Sequence, residues 1–209
     1  MPKNDAPVIQ NIQSPKKNVP VSEDRVSDID RWLRELDHTA LPDWDKLPDI
    51  GLYMDQVLTL MDRQLSFYKR SDDDKILTKA MINNYTKDGV LPRPVDKKYT
   101  PDHLALISLV CALKPVVSIS DLGTLTDAAL QGSSEEELYE LYLRIQDEAF
   151  IDVRRQVLAE LEPLKNASDA GGVLAMDRRR LMADIALRLS LEARVRVMMA
   201  QKLIDSIGK

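Results

Sequence analysis

The sequence predicts an all-α fold with one minor β ribbon, and three observations carry that expectation. Leu, Ala, Met, Glu and Arg recur while the 209 residues include only 7 glycines and 2 phenylalanines, a composition of side chains that lose little freedom in a helix. Apolar residues repeat at helical spacing through most of the chain. Where the repeat breaks, the sequence has helix punctuation: Ser or Thr followed by acids, Gly after a last turn, Pro between segments. With 44% apolar residues the chain can build a buried core, and its length suits one generous domain or two small ones.

Residues 1–26 carry prolines at 2, 7, 15 and 20 and no helical period, so they read as a flexible arm. Ser27 precedes Asp28-Ile29-Asp30 as an N-cap followed by acids, and Ile29, Trp32, Leu33 and Leu36 keep helical spacing to a stop before Pro42. Trp44 and Leu47, between Pro42 and Pro48, read as a connector tacked onto the core. From Ile50, the residues Met54, Val57, Leu58, Met61 and Leu65 trace the apolar stripe of a second helix, ended by the polar run Lys69 to Asp74.

Thr78 caps a short helix from Lys79 to about Asp88, and Gly89 sits where a left-handed residue ends a helix without steric cost. Ala80, Met81, Ile82 and Tyr85 are expected to face the core, leaving Lys79, Asn83, Asn84 and Lys87 outside. Pro92 and Pro94 exclude helix from Val90 to Tyr99, which is expected to form a short two-stranded ribbon. Thr100-Pro101-Asp102 then reads as N-cap, first-turn proline and acid. From Leu104 to Leu113 only Ser108 is polar, so this helix is apolar on every side and belongs at the centre of a core.

Pro115 breaks that helix, and Ser118 or Ser120 starts another through Leu125, before Gly132. Ser133 or Ser134, followed by Glu135-Glu136-Glu137, opens a long helix whose period is expected to run to Pro163. Residues 166–172, with Gly171 and Gly172, read as a linker, and a last helix runs from about Met176 to Ile207. On it Leu181, Ile185 and Leu189 mark one apolar row, while Leu187, Leu191, Val195, Met198 and Leu203 mark a second that needs another partner surface. The chain thus divides into an arm (1–26), a helical domain (27–132) and a C-terminal helical region (133–209) for dimerisation or partner docking.

Cys111 is the sole cysteine, so no internal disulfide can form, and its apolar neighbours make it a small core hydrophobe. No segment has the length to cross a bilayer and the first residues lack the apolar stretch of a signal peptide, so a cytoplasmic protein without membrane attachment is expected. His38 and His103 have no metal-ligand partners at ligand spacing, and His103, in a first turn, reads as exposed or capping. Arg178-Arg179-Arg180, near a helix start, oppose the helix dipole and read as a solvated face or salt-bridge partners. No Ser-His-Asp set or spaced carboxylate pair can be assigned, so neither an enzyme nor a cofactor is expected. The net charge of −5 argues against polyanion binding by the whole surface, yet residues 75–100 carry +4, a basic island in an acidic chain.

The order of helix, polar loop, short helix, ribbon and buried helix resembles the MerR superfamily of winged helix-turn-helix regulators over residues 50–125. The run Ile82-Asn83-Asn84-Tyr85-Thr86-Lys87-Asp88-Gly89-Val90-Leu91-Pro92 looks like the second helix and turn of that motif, with Asn83 where the family usually has arginine. Lys97-Lys98-Tyr99-Thr100 looks like the end of its wing, and Pro101 to Leu113 parallels the helix that follows. The same run, from Met81 to Ile107, is similar to an uncharacterised bacterial family known only as a domain of unknown function.

The resemblance implies a transcriptional regulator that binds double-stranded DNA. Lys79, Asn83, Asn84 and Lys87 would face the major groove, where an Asn amide can pair with adenine N6 and N7. Arg93, Lys97 and Lys98 would meet phosphates, and Tyr85 and Tyr99 would pack. Palindromic operators imply a homodimer, formed through the C-terminal helices. The alternative is a helical protein-interaction adaptor that keeps the fold without binding DNA.

Overall fold

A computed structural model describes residues 23–36, 41–165 and 173–208. Among these, the chain is mostly helical with one small sheet: α1 (Glu23–Glu35), β1 (Leu52–Tyr53), α2 (Met54–Gln64), α3 (Lys79–Lys87), β2 (Lys98–Tyr99), α4 (Pro101–Leu113), α5 (Ile119–Ala129), α6 (Glu135–Lys165) and α7 (Val173–Ile207). None of these helices is long and apolar enough to cross a membrane.

α4 is the centre of the larger core. Every residue from His103 to Cys111 is buried, as expected of a helix with apolar groups on all sides. Val57, Met61 and Leu65 of the α2 stripe, Ile82 and Tyr85 of α3, and Tyr139 and Tyr142 of α6 close around it. Ser108 satisfies its hydroxyl within the helix by donating to the Leu104 carbonyl at 2.9 Å. The connector docks as expected: Leu47 is buried, Trp44 packs on the core beside Tyr139 at 6.1 Å, and the Tyr139 hydroxyl donates to the Pro42 carbonyl at 2.9 Å.

Most helix starts fall at their sequence signals. Thr78 Oγ1 accepts from the Met81 N–H at 3.2 Å, and Gly89 has φ +78 beyond the end of α3. Ser118 Oγ accepts from the Asp121 N–H at 3.1 Å. Ser134 Oγ accepts from the Glu137 N–H at 3.2 Å while Glu137 returns the bond to the Ser134 N–H at 2.9 Å, a reciprocal capping box.

Other expectations need correction. α1 begins at Glu23, so Ser27 lies inside it. Ile50 does not extend the α2 stripe: it is exposed, and the chain enters α2 through β1. Ala80 is exposed, while Ile82 and Tyr85, with Met81 partly buried beside them, face the core. Val90 and Leu91 are not a strand; their N–H groups both return to the Tyr85 carbonyl, at 2.9 and 3.2 Å, and their side chains are buried. α6 runs through Pro163 to Lys165, where a proline in the last turns forfeits a single backbone bond. His38, Gly171, Gly172, and the expected arm up to residue 22 lie outside the described residues.

A smaller cluster joins Leu33 of α1, Val157 and Leu161 of α6, and Ile185 of α7, with Leu181 and Leu189 beside them. The first apolar row of the last helix is therefore used inside the chain. The second is not: Leu187, Leu191, Val195, Met198 and Leu203 are all exposed. Arg178 is buried rather than part of a solvated face, which leaves Arg179 and Arg180 outside.

Candidate nucleic-acid interface

The small sheet organises the basic island. β1 and β2 run antiparallel, Leu52 opposite Tyr99 and Tyr53 opposite Lys98, so the strand before α2 pairs with the segment after α3. Leu52 and Tyr99 point into the core while Tyr53 and Lys98 face out, the alternation expected of a half-buried strand. Beyond this ladder Val95 bridges Lys98, and the Lys98 N–H donates to the Val95 carbonyl at 2.9 Å. The two residues between them, Asp96 and Lys97, have φ +52 and +62, the left-handed pair that a tight hairpin matching strand twist requires. Neither is glycine, so this tip holds backbone strain.

Close approach explains one glycine. A Cβ built on Gly51 would sit 2.9 Å from the Lys98 Cβ, inside any normal contact, so only glycine lets β2 pass this near. The Lys98 ammonium then lies 5.9 Å from the centre of the Tyr53 ring, held over its face.

All seven residues expected to meet DNA are exposed: Lys79, Asn83, Asn84, Lys87, Arg93, Lys97 and Lys98. Lys79, Asn83 and Lys87, spaced i, i+4 and i+8, share one side of α3, with Asn84 adjacent. Lys97 and Lys98 are on the hairpin, and Arg93 is in the loop leading to it. Lys87, Arg93, Lys97 and Lys98 make no ion pair with the described residues. Lys79 does, with Asp55 of α2 at 2.7 Å, a tertiary pairing that the sequence did not signal. Tyr85 and Tyr99 are buried and pack, as expected.

The acidic loop before α3 turns partly on itself. The Asp74 carboxylate accepts from the Arg70 N–H at 2.8 Å, the Ser71 N–H at 3.1 Å and the Ser71 hydroxyl at 3.0 Å. The Arg70 backbone bond is the main cause that holds its pKa below the usual carboxylate range. Asp72 and Asp73 stay exposed.

His103 links the hairpin to α4. It is buried rather than exposed, and its capping role is direct: Nδ1 accepts from the Thr100 N–H at 3.2 Å, with the Thr100 hydroxyl 2.8 Å away. With Nδ1 accepting, the neutral ring carries its proton on Nε2, which is buried without a bond of normal geometry. Burial lowers the His103 pKa, outweighing the backbone of Arg93 and Pro92 and the charge of Asp102, which favour the cation. The ring stands edge-on to Tyr99 at 5.4 Å. Cys111 behaves as a core residue: burial pushes its thiol up to about 12. Among the described residues no cluster of His, Cys, Asp and Glu has the makings of a metal centre.

No curated protein and no solved structure matches the chain. Residues 42–145, the span from the connector before β1 to the first third of α6 that holds most of the larger core, match the model of the family described as Domain of unknown function (DUF1836).

Proposed function

We propose that residues 50–125 are a MerR-like winged helix-turn-helix that binds double-stranded DNA, and that the protein is a transcriptional regulator. The observation that carries the reading is the pairing of β1 with β2. It ties the strand before α2 to the hairpin after α3, so α2, α3 and the hairpin form one unit in the order of a helix-turn-helix with its wing. α3 would lie in the major groove, Asn83 and Asn84 reading adenine edges. Arg93, Lys97 and Lys98 would hold phosphates, a role that suits exposed cations that make no ion pair with the described residues. The Lys79–Asp55 pair is exposed and such pairs contribute at most about 1 kcal/mol, so a phosphate can displace Asp55. The exposed apolar row on α7 would join two copies, as a two-fold operator demands.

The Lys79–Asp55 pairing favours the second reading, a helical protein-interaction adaptor that does not bind DNA, because it spends a groove-side cation inside the chain. Binding-site selection on the purified protein separates the two. The DNA reading expects an enriched sequence, Asn83→Ala to change that sequence, and Lys97→Ala with Lys98→Ala to weaken all sequences alike. No enrichment, or equal behaviour of the variants, sinks it.

A further inference from the structure

Behind the α4 core lies a cavity of about 520 Å³, within the range of small-molecule sites. The C-terminal half of α4 forms its floor through Leu109, Ala112 and Leu113, and Leu125 and Ala129 of α5 form one wall. α6 forms the opposite wall, from Leu138 to Val153, and Tyr68 closes one end. No lining residue is charged. The cavity opens to solvent along Leu141 and Ile145, and a charged group seated against its apolar floor would lose part of its hydration with nothing to replace it, which disfavours charged molecules.

The polar groups of the wall are few and unevenly satisfied. Thr126 is spent on its own helix, donating to the Leu122 carbonyl at 2.8 Å. Gln146 is 8% exposed; its Oε1 accepts from the Tyr68 hydroxyl at 2.7 Å, and among the described residues nothing bonds its amide N–H groups. Beside it the Tyr142 hydroxyl is buried with no hydrogen bond, although the Tyr68 hydroxyl is near enough to act on it. The Tyr142 hydroxyl can donate, and a buried donor left unbonded costs roughly 1–3 kcal/mol.

We propose that this α4–α5–α6 cavity is a binding site for an uncharged, mostly apolar small molecule that carries a carbonyl-type acceptor for the Tyr142 hydroxyl. It does not rest on the DNA-binding reading, and either can fail alone.

The probe is 6-propionyl-2-(dimethylamino)naphthalene, a neutral ketone whose emission moves to the blue when it leaves water. The comparison is 1-anilinonaphthalene-8-sulfonate, which is of similar size but carries a charge. The full chain should bind the ketone saturably and the sulfonate at least about tenfold more weakly. Ala149→Trp, on an exposed lining position of α6, should fill the cavity and cost at least about tenfold in ketone affinity. Tyr142→Phe should cost about fivefold and shift bound emission further to the blue. Ala129→Leu repeats the filling test from α5, and far-UV circular dichroism confirms that each variant is folded. Absence of saturable ketone binding, equal affinity for the sulfonate, or unchanged affinity in folded filling variants overturns the proposal. So does Ala149→Trp turning a dimer into a monomer by sedimentation, since the groove would then belong to a second copy.

Discussion

Lys97 at the hairpin tip separates backbone strain from charge in a single position. Its φ of +62 lies in the left-handed region, which costs a residue with a Cβ roughly 1–2 kcal/mol relative to glycine. Lys97→Gly removes that cost but frees the unfolded chain, an opposing effect of about 0.4–1 kcal/mol. The net expectation is a gain of roughly 0.5–1 kcal/mol, or about 1–4 °C in Tm for a chain of this size. Lys97→Ala keeps the Cβ and the strain, so its stability should stay within about 0.5 kcal/mol of the parent. Both variants remove the same cation. Under the DNA reading each should therefore weaken binding equally and reduce the salt slope by about one per copy. Urea denaturation gives the first comparison and fluorescence anisotropy on a labelled duplex the second. A Lys97→Gly variant less stable than Lys97→Ala would refute the strain argument. Unequal DNA affinities would refute the role of Lys97 as a phosphate contact.

Further expectations test other parts of the account. Gly51→Ala would force a Cβ against Lys98 and should destabilise the fold by about 1–3 kcal/mol, seen as a lower urea midpoint with an unchanged slope. His103 has a folded pKa below its unfolded value, so the unfolded chain binds the proton more readily. Its contribution to stability is intact above about pH 6.5 and should decline as pH falls below that; thermal melts at about pH 7 and 5 should converge in His103→Gln, and an undiminished pH dependence would exclude His103 as the cause. Leu191→Ser with Val195→Ser, both on the exposed row of α7, should yield a folded monomer by sedimentation. A variant that remains dimeric would move the interface elsewhere.

The parts of the fold that were legible in the sequence are those decided within a few residues. Thr78, Ser118 and Ser134 cap helices because a side-chain oxygen and an N–H lie within one turn, and Pro101 opens α4 for an equally local reason. β1 escaped because two residues are too few to display a period, and Ile50 falls in phase with the α2 stripe. Its partner, β2, is distant in the chain, so no local pattern pairs the two, and within residues 90–99 Val90 and Leu91 close the end of α3 instead of forming a strand. Of the candidate interface, the charges and the short helix were readable, and all seven side chains are exposed. The Lys79–Asp55 pair depends on how α2 crosses α3, which no local pattern encodes. The α4–α5–α6 cavity was invisible for a different reason: Leu, Ala and Phe that line a space have the same helical spacing as those that fill one.

The central claim, that α3 and the hairpin bind duplex DNA, is tested most directly by the salt dependence of binding. The full chain is titrated against its selected duplex by anisotropy between about 50 and 200 mM salt. If Lys79, Lys87, Arg93, Lys97 and Lys98 each neutralise one phosphate, log affinity should fall against log salt with a slope of about −4.5 for one copy and about −9 for a dimer. No binding at the lowest salt, or a slope near zero, contradicts the account.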